Sequence, residues 1–193
     1  MAGIPRSEDG KLRRRILADA VELVATKGFD ALTLRAIGEL SGMSEQRVRY
    51  YFRNTAVLLF EVADGLFMDL LNSLKVPDDI PAGERLAQLC RCYAVAIAGR
   101  AARRLRHVPF LHLLPGHRSI LQYKHRWLLQ VFDNAVRDCC PSLDATRVTV
   151  LALSLLALLD SHTVWSCEPG AMVTPDYADL ARRMVLSGSV RQV

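Results

Sequence analysis

A three-residue break between two short amphipathic segments constrains the fold more than any other feature of this sequence. Gly42-Met43-Ser44 follows the segment LTLRAIGELS and precedes EQRVRYYF. Thr33 and Ser44 are good N-cap residues, because their side-chain oxygens accept amide hydrogens at the start of a helix. Glycine commonly ends a helix. The pattern therefore predicts two short helices, starting after Thr33 and after Ser44, joined by a tight turn as in a helix-turn-helix.

The second of these helices separates apolar from polar residues. Val48 and Phe52 are spaced four apart and predict its buried side. The residues left to face outward are Gln46, Arg47, Arg49 and Tyr50. Arginine reads guanine and glutamine reads adenine through paired hydrogen bonds, and both arginine and tyrosine bind phosphates. Two hypotheses remain open at this point: a solvated charged face, or a helix that lies against DNA.

The rest of the chain also predicts helices, so the expected fold class is all-α with about nine helices. The further helices are expected over residues 11–27, 55–74, 84–101, 118–138, 145–166 and from 175. In the helix after Thr33, we expect Ala36, Ile37 and Leu40 to form the inner face. Residues 145–166 are apolar almost all round, which is typical of a buried helix.

One connector divides the predicted helices into two domains. VPDDIPAG, residues 76–83, is rich in proline and acid and is typical of a loop. It predicts an N-terminal DNA-binding domain over residues 10–70, with the helix-turn-helix at 33–52. The C-terminal helical domain would then cover residues 75–193.

Positive charge is concentrated in two parts of the chain, although the net charge is only +5. Residues 84–137 contain ten Lys/Arg against Glu84 and Asp133, and residues 1–54 contain ten against seven acids. This asymmetry indicates an anionic partner without identifying it. Residues 101–132 contain six Lys/Arg and no acid. Solvated helix ends, an anionic effector, or a second DNA or protein surface would each account for that stretch.

Several functional classes are disfavoured by what the sequence lacks. The first ten residues have no apolar core of a signal peptide, and the twelve-residue apolar run 148–159 is too short to cross a bilayer. We therefore expect a cytoplasmic protein with no membrane partner. Without a secretory signal, we expect the five cysteines to be reduced thiols. On a helix, Cys90 and Cys92 point roughly 200° apart and would not ligate one metal together, so we expect no metal. No glycine-rich phosphate loop or nucleophile elbow is found, which predicts no enzyme activity and no cofactor.

Several ordered marks between residues 12 and 60 resemble a known family. They are I-x3-A-x2-L-x4-G-F from Ile16, a threonine at 33, and G-x-S-x3-V-x2-Y-F-x-N from Gly42. Together they resemble the N-terminal domain of TetR-type transcriptional regulators. Gly38 stands where many members carry alanine. Beyond residue 75 the resemblance is mainly one of layout, although Leu159-Asp160-Ser161 is similar to a leucine-aspartate-glycine found in many members.

The resemblance implies an all-helical homodimer whose third helix enters the major groove of a palindromic DNA operator. It implies base contacts by Gln46, Arg47 and Tyr50, and phosphate contacts by Thr33, Ser44, Arg49 and Arg53. Position 49 is usually tyrosine and position 55 usually lysine in the family. Here they are arginine and threonine, and we expect Arg49 to replace both as the backbone anchor.

The C-terminal region is implied to bind a small-molecule effector and to dimerise through its last two helices. The residues expected at the dimer interface are Leu156, Leu159, Tyr177, Leu180 and Met184. Aromatic and histidine candidates for an effector pocket are Phe110, His112, Trp127 and Trp165, although aromatics at helical spacing are commonly core residues. The functional hypothesis is a ligand-responsive repressor. The alternatives are an architectural DNA-binding protein without an effector and a helical metal- or cofactor-binding protein.

Overall fold

A computed structural model describes residues 6–165 and 175–190, with side chains described over 9–161 and 176–187. The described residues form eight α-helices and three short 3-10 helices, with no strand among them, so the predicted all-α class is confirmed. The α-helices are α1 (Arg6–Lys27), α2 (Leu34–Ser41), α3 (Glu45–Tyr51), α4 (Thr55–Ser73), α5 (Ala82–Ala98), α6 (Pro115–Cys139), α7 (Ala145–Trp165) and α8 (Pro175–Val190). The 3-10 helices are Phe29–Ala31, Ala102–His107 and Phe110–His112.

The chain divides into two compact units. The first unit contains the described residues up to Phe67 together with Arg104–Leu121, and the second contains Met68–Arg103 and the described residues from Gln122 onward. Residues 104–121 thus group with the first unit, although they come after the connector at 76–83. The predicted domain boundary between 70 and 75 stays a prediction.

The first unit is built around the apolar face of α1. Ile16, Ala20 and Val24 are fully buried, as the 3.6-residue period predicts. Val48 of α3 and Phe52 just after it are also fully buried, in agreement with their spacing. Because both residues are held in the core, the opposite side of α3 must face solvent.

The turn between α2 and α3 is tight. Gly42 has φ 67° and ends α2 in the left-handed conformation that favours glycine. The Met43 amide donates to the Gly38 carbonyl over 2.8 Å. A Cβ at Gly38 would lie 2.7 Å from the Met43 carbonyl oxygen, so the absence of a side chain lets the turn pack directly on α2. The separation between α2 and α3 therefore depends on Gly38.

The predicted inner face of α2 was wrong at one position. Leu40 is 53% exposed, whereas Leu34, Ile37, Gly38 and Ser41 are buried. These four follow the i, i+3, i+4, i+7 pattern, and Leu40 lies outside that stripe. The Ser41 hydroxyl donates to Asp19 of α1 over 2.5 Å, so the inward polar residue has a partner.

The second unit packs α5, α7 and α8 against one another. Tyr93 of α5 is 4% exposed, and its hydroxyl donates to Asp160 of α7 over 2.8 Å. The prediction that residues 145–166 are buried all round was wrong for the described part of α7. Its buried stripe is Val148, Ala152, Leu155 and Leu159, whereas Val150 and Leu153 are about half exposed. One apolar side of α7 is therefore left uncovered in the protomer.

Three helix starts lie earlier than the sequence predicts. α1 begins at Arg6 rather than 11, α5 at Ala82 rather than 84, and α6 at Pro115 rather than 118. Proline suits the first position of a helix, because its fixed φ is helical and the missing amide hydrogen has no intrahelical acceptor there. The LLPGH segment, residues 113–117, thus includes the first residues of α6.

Candidate nucleic-acid interface

The solvent side of α3 carries the residues that the sequence singles out. Its exposed side chains include Gln46, Arg47, Arg49 and Tyr50, the last being 75% exposed. The Ser44 side-chain oxygen accepts the Arg47 amide hydrogen over 3.2 Å, which caps the helix as predicted. The seven-residue helix α3 thus exposes two cations, an amide and a phenol to solvent, while its opposite side is buried.

A hollow of about 220 Å³ lies beside α3, and we call it the α2–α4 hollow. Its lining consists of Thr33, Leu34, Arg35, Glu45, Arg49, Arg53, Asn54 and Thr55. The structure therefore brings Thr33, Arg49 and Arg53 together, three of the four residues predicted to bind phosphate. Ser44 and the predicted base-reading residues are not part of the lining.

Two helix N-termini open into the α2–α4 hollow. Thr33 caps α2 by accepting the Ala36 amide hydrogen over 3.0 Å, and Asn54 caps α4 by accepting that of Val57 over 2.9 Å. The first amides of each helix have no intrahelical acceptor, and the helix dipole is positive at this end. With three arginines against Glu45, the hollow has the electrostatics of an anion site.

Two of the three arginines of the hollow, Arg35 and Arg49, form ion pairs within their own helices. The Arg49 guanidinium lies 2.7 Å from the Glu45 carboxylate one turn earlier on α3. Arg35 similarly lies 2.9 Å from Glu39 on α2, and the hydrogen bond to Glu39 raises the pKa of Arg35. Exposed pairs of this kind contribute little to stability, so these arginines can exchange a carboxylate for another anion.

The aromatic residues of α3 have different roles. The rings of Tyr50 and Tyr51 meet edge to face with centroids 5.1 Å apart. The Tyr51 hydroxyl donates to Asp9 of α1 over 2.9 Å. The pKa of Tyr51 is raised, mainly by burial and secondly by this hydrogen bond. Tyr51 thus ties α3 to α1, which leaves Tyr50 as the aromatic ring on the exposed side.

Arg35 and Asn54 were missed by the sequence-based prediction. Both line the hollow, and Asn54 also positions the start of α4. A signal for Asn54 was present, since asparagine before an apolar helical run is a common N-cap. No comparable signal marks Arg35, because its place in the hollow depends on how α2 packs against α3.

Comparison with known proteins identifies a family that matches the N-terminal part of the chain. Residues 16–62 match the family model described as bacterial regulatory proteins, tetR family. A crystal structure of a tetR-family regulatory protein from Rhodococcus RHA1 is 26% identical and superposes with a TM-score of 0.77, covering 91% of this chain and 97% of that one. Residues 16–62 therefore match the TetR family, and the described structure shares the fold of that solved relative. The resemblance predicted from residues 12–60 is thereby confirmed.

Two further relatives bear on the TetR-family assignment. An uncharacterised HTH-type transcriptional regulator from Xanthobacter autotrophicus is 37% identical over 76 residues, which span 39% of this chain and 38% of that relative. The match thus covers well under half of the curated relative. The structure of AibR in complex with isovaleryl coenzyme A and operator DNA is 18% identical with a TM-score of 0.71, covering 90% and 97% of the two chains. At that identity the likeness shows the TetR-family fold alone.

Three of the four predicted effector residues have described side chains, and these three divide between the two units. Trp127 lines a groove in the second unit whose lining does not include Phe110 or His112. Phe110 and His112 belong to the first unit, where both lie in the 3-10 helix Phe110–His112. Trp165 ends α7, and its side chain lies outside the described residues.

The predicted dimer residues divide into exposed and buried positions. Leu180 is 50% and Met184 59% exposed on α8. Leu159 is buried within the protomer, which removes its side chain from the available surface. Leu156 is half-buried, and the Tyr177 hydroxyl donates to the Leu158 carbonyl over 2.6 Å. The accessible apolar surface on α7 and α8 therefore consists mainly of Val150, Leu153, Leu180 and Met184.

The described residues contain neither a metal-ligand cluster nor a membrane-spanning helix. Among the described residues, no group of three or more His, Cys, Asp or Glu side chains is placed to hold a metal ion. Cys90, Cys92, Cys139 and Cys140 are free thiols, and Cys167 lies outside the described residues. Within the described part of the chain, no helix is both long and apolar enough to span a bilayer.

Proposed function

We propose that this TetR-family protein is a DNA-binding transcriptional repressor that is released from a palindromic operator by a small molecule. The observation that carries the proposal is the pairing of α3's exposed cationic side with the α2–α4 hollow. Gln46, Arg47 and Tyr50 would address base edges in the major groove. Thr33, Arg49 and Arg53 would hold a phosphate in the hollow, with Ser44 contacting the backbone nearby.

The arrangement favours regulation over a purely architectural role. A non-specific DNA-binding protein needs positive charge and backbone donors, which the hollow supplies by itself. The additional exposed Gln46 and Arg47 have side chains that discriminate bases. Their position on the N-terminal half of α3 is the part of a recognition helix that contacts base edges.

We place the protein in the cytoplasm, associated with the nucleoid when bound to DNA.

The proposed function is tested by binding to the DNA immediately upstream of the protein's own gene. The expected result is a complex that excess random duplex does not displace and that protects an inverted repeat from cleavage. Its affinity should fall steeply with salt, because several phosphates are neutralised. Equal affinity for the upstream fragment and for random duplex would instead favour the architectural alternative.

Substitution of Glu45 by glutamine should strengthen DNA binding. Glu45 is the acid in the α2–α4 hollow, and it holds Arg49 at 2.7 Å in the free protein. Without its charge, Arg49 is released and repulsion of the phosphate is removed. We expect a gain of about 0.4–1 kcal/mol, the scale of an exposed ion pair, measured by fluorescence anisotropy on operator DNA.

Glu39→Gln is the matched control for Glu45. Glu39 makes the same i, i+4 pair with Arg35 but does not line the hollow. Substitution of Glu39 should change DNA affinity less than substitution of Glu45 does. Weaker binding by the Glu45 variant would contradict the placement of phosphate beside Arg49.

The proposed dimer is supported by the uncovered apolar side of α7 and α8. Val150, Leu153, Leu180 and Met184 are each at least half exposed, and α7 packs against α8. Large exposed apolar residues on two packed helices are typical of an interface. A second copy would pair the two helices into a four-helix arrangement, and the dimer would contain two α3 helices, one for each half-site of a palindrome.

Glutamate at both Leu180 and Met184 should convert the dimer to a monomer. Two charges would be buried without partners in the proposed interface, which is strongly unfavourable. Light scattering coupled to size exclusion should then give the mass of one 21.5 kDa chain. Val95→Glu on α5 is the control, because Val95 is 62% exposed and lies outside the interface. An unchanged dimer in the double variant would rule out this face.

Effector release would act through a shift between two arrangements of the dimer. A ligand changes DNA affinity only by as much as it discriminates between the two arrangements. The expected readout is dissociation of a labelled operator on addition of the ligand. Neither a metal nor a cofactor is required by the proposal.

A further inference from the structure

The second unit contains a groove of about 470 Å³ between the end of α4, α5 and α6, and we call it the Trp127 groove. Its floor is apolar and buried, and is formed by Leu74, Leu89 and Ala135. Trp127 and Val131, one turn apart on α6, form a wall. The volume lies within the range of small-molecule sites, about 300–1,000 Å³.

Trp127 gives this groove an exposed aromatic surface. The side chain is 43% exposed, although tryptophan is highly buried on average in folded proteins. A planar ring that packed against the indole would remove apolar area from water on both partners. Aromatic rings prefer such offset or edge contacts at short centroid distances. The groove is therefore suited to a flat aromatic ligand.

The charges at the polar end of the groove select against an ionised ligand. Arg85 is paired with Asp138 and lies 3.6 Å from Asp78, and Lys75 is the other cation of the lining. Two cations face two carboxylates, so the lining is formally neutral. An anion would have to compete with Asp78 and Asp138 for Arg85, and it would be repelled by both. The residues of the basic stretch that we considered for an anionic effector, such as Arg103 and Arg118, do not line this groove.

Hydrogen-bonding groups at the same end match a carboxamide. The Asn134 Oδ1 accepts from Gln130 over 2.8 Å and from Arg137 over 3.3 Å, which leaves the Asn134 amino group to donate. The Asp138 carboxylate can only accept. A ligand carbonyl that accepts from Asn134 and a ligand N–H that donates to Asp138 would satisfy both residues.

We propose that the Trp127 groove binds an uncharged planar aromatic carboxamide, with the ring on Trp127 and the amide between Asn134 and Asp138. Binding to the groove does not depend on the DNA-binding activity. Its role as the effector site rests on the proposed function. Of the four residues considered for an effector pocket, Trp127 is the one used here.

The test compares 2-naphthamide with 2-naphthoate, which have nearly the same shape and differ in charge. Binding to the full-length, DNA-free protein is measured by calorimetry and by the shift of the Trp127 indole N–H signal in NMR, assigned with Trp127→Phe. We expect 2-naphthamide to shift that signal and to bind at least tenfold more tightly than 2-naphthoate. Equal or tighter binding of the carboxylate, no binding of the amide, or an unmoved Trp127 signal would overturn the proposal.

Two variants and a control locate the site. Trp127→Leu and Asn134→Ala should each weaken 2-naphthamide binding at least fivefold. Tyr123→Leu should leave it unchanged, because Tyr123 is an even more exposed aromatic on α6 that does not line the groove. If all three variants bind like the parent protein, the ligand occupies another site and the assignment is wrong. DNA release is measured in a separate assay. Operator binding without binding of 2-naphthamide would indicate a regulator that does not use this effector. Binding of 2-naphthamide without DNA release would indicate a groove that has no regulatory effect.

Discussion

Substitution of Gly38 by alanine should weaken DNA binding, even though alanine is a common residue at this position of the family. The added Cβ would lie 2.7 Å from the Met43 carbonyl oxygen and 3.3 Å from the Glu45 amide nitrogen. Both atoms belong to backbone, which cannot rotate away as a side chain can. The turn and the start of α3 must therefore move away from α2. We expect a loss of about 1–3 kcal/mol of folding stability and at least about a tenfold loss of DNA affinity, 1.4 kcal/mol.

Gly65→Ala is the matched control for this prediction. Gly65 is an exposed glycine inside α4, and a Cβ there meets nothing within 4 Å. Alanine should stabilise that helix by about 0.5–1 kcal/mol without changing DNA affinity. Thermal unfolding and operator binding of the two variants separate the helix-propensity effect from the clash. If Gly38→Ala retained parental affinity, α3 placement would not depend on the close approach of the turn to α2.

Alanine at Arg47 and alanine at Arg49 should weaken DNA binding in different ways. Arg47 is exposed on α3 outside the hollow and is assigned to a base edge, so its loss should cost about 1–3 kcal/mol on the operator. Binding to random duplex should change little. Arg49 lines the α2–α4 hollow and is assigned to phosphate. Its loss should weaken binding to every sequence and reduce the slope of log affinity against log salt by about one per subunit.

The comparison of the two variants distinguishes base contacts from phosphate contacts. Both side chains are exposed and both are arginines on the same helix, so each variant serves as the charge-matched control for the other. An Arg49 variant that changed sequence preference while keeping the parental salt slope would show that the assignments are reversed. Equal effects of both variants on all duplexes would indicate that α3 contributes charge alone.

Much of the helix-turn-helix could be predicted from the sequence, because the residues that determine its helix starts and buried side lie close together in the chain. Thr33 and Ser44 are capping residues, and each accepts the amide hydrogen three residues later. The spacing of Val48 and Phe52 correctly predicted which side of α3 is buried. Capping and helical periodicity depend on residues within one or two turns, so they can be read without knowledge of the packing.

Features that depend on packing between helices could not be predicted in this way. The hollow joins residues of α2, α3 and α4, and no sequence pattern predicted that Arg35 would line it. Leu40 was expected to be inside because it is apolar, but the short α2 buries Gly38 on the side that faces the turn. The expected effector residues were grouped by type alone, whereas the Trp127 groove combines positions that are over 60 residues apart in the sequence.

The central claim, that the exposed side of α3 reads a specific palindromic sequence, is tested most directly by selection from a library of random duplexes. The purified protein and its Arg47→Ala variant are each carried through several rounds of binding, and the retained DNA is sequenced. We expect the parent protein to enrich one inverted repeat and the variant to lose preference at one or two base pairs of each half-site. Retention of DNA without any enriched sequence would contradict the central claim, because α3 would then contact the backbone alone.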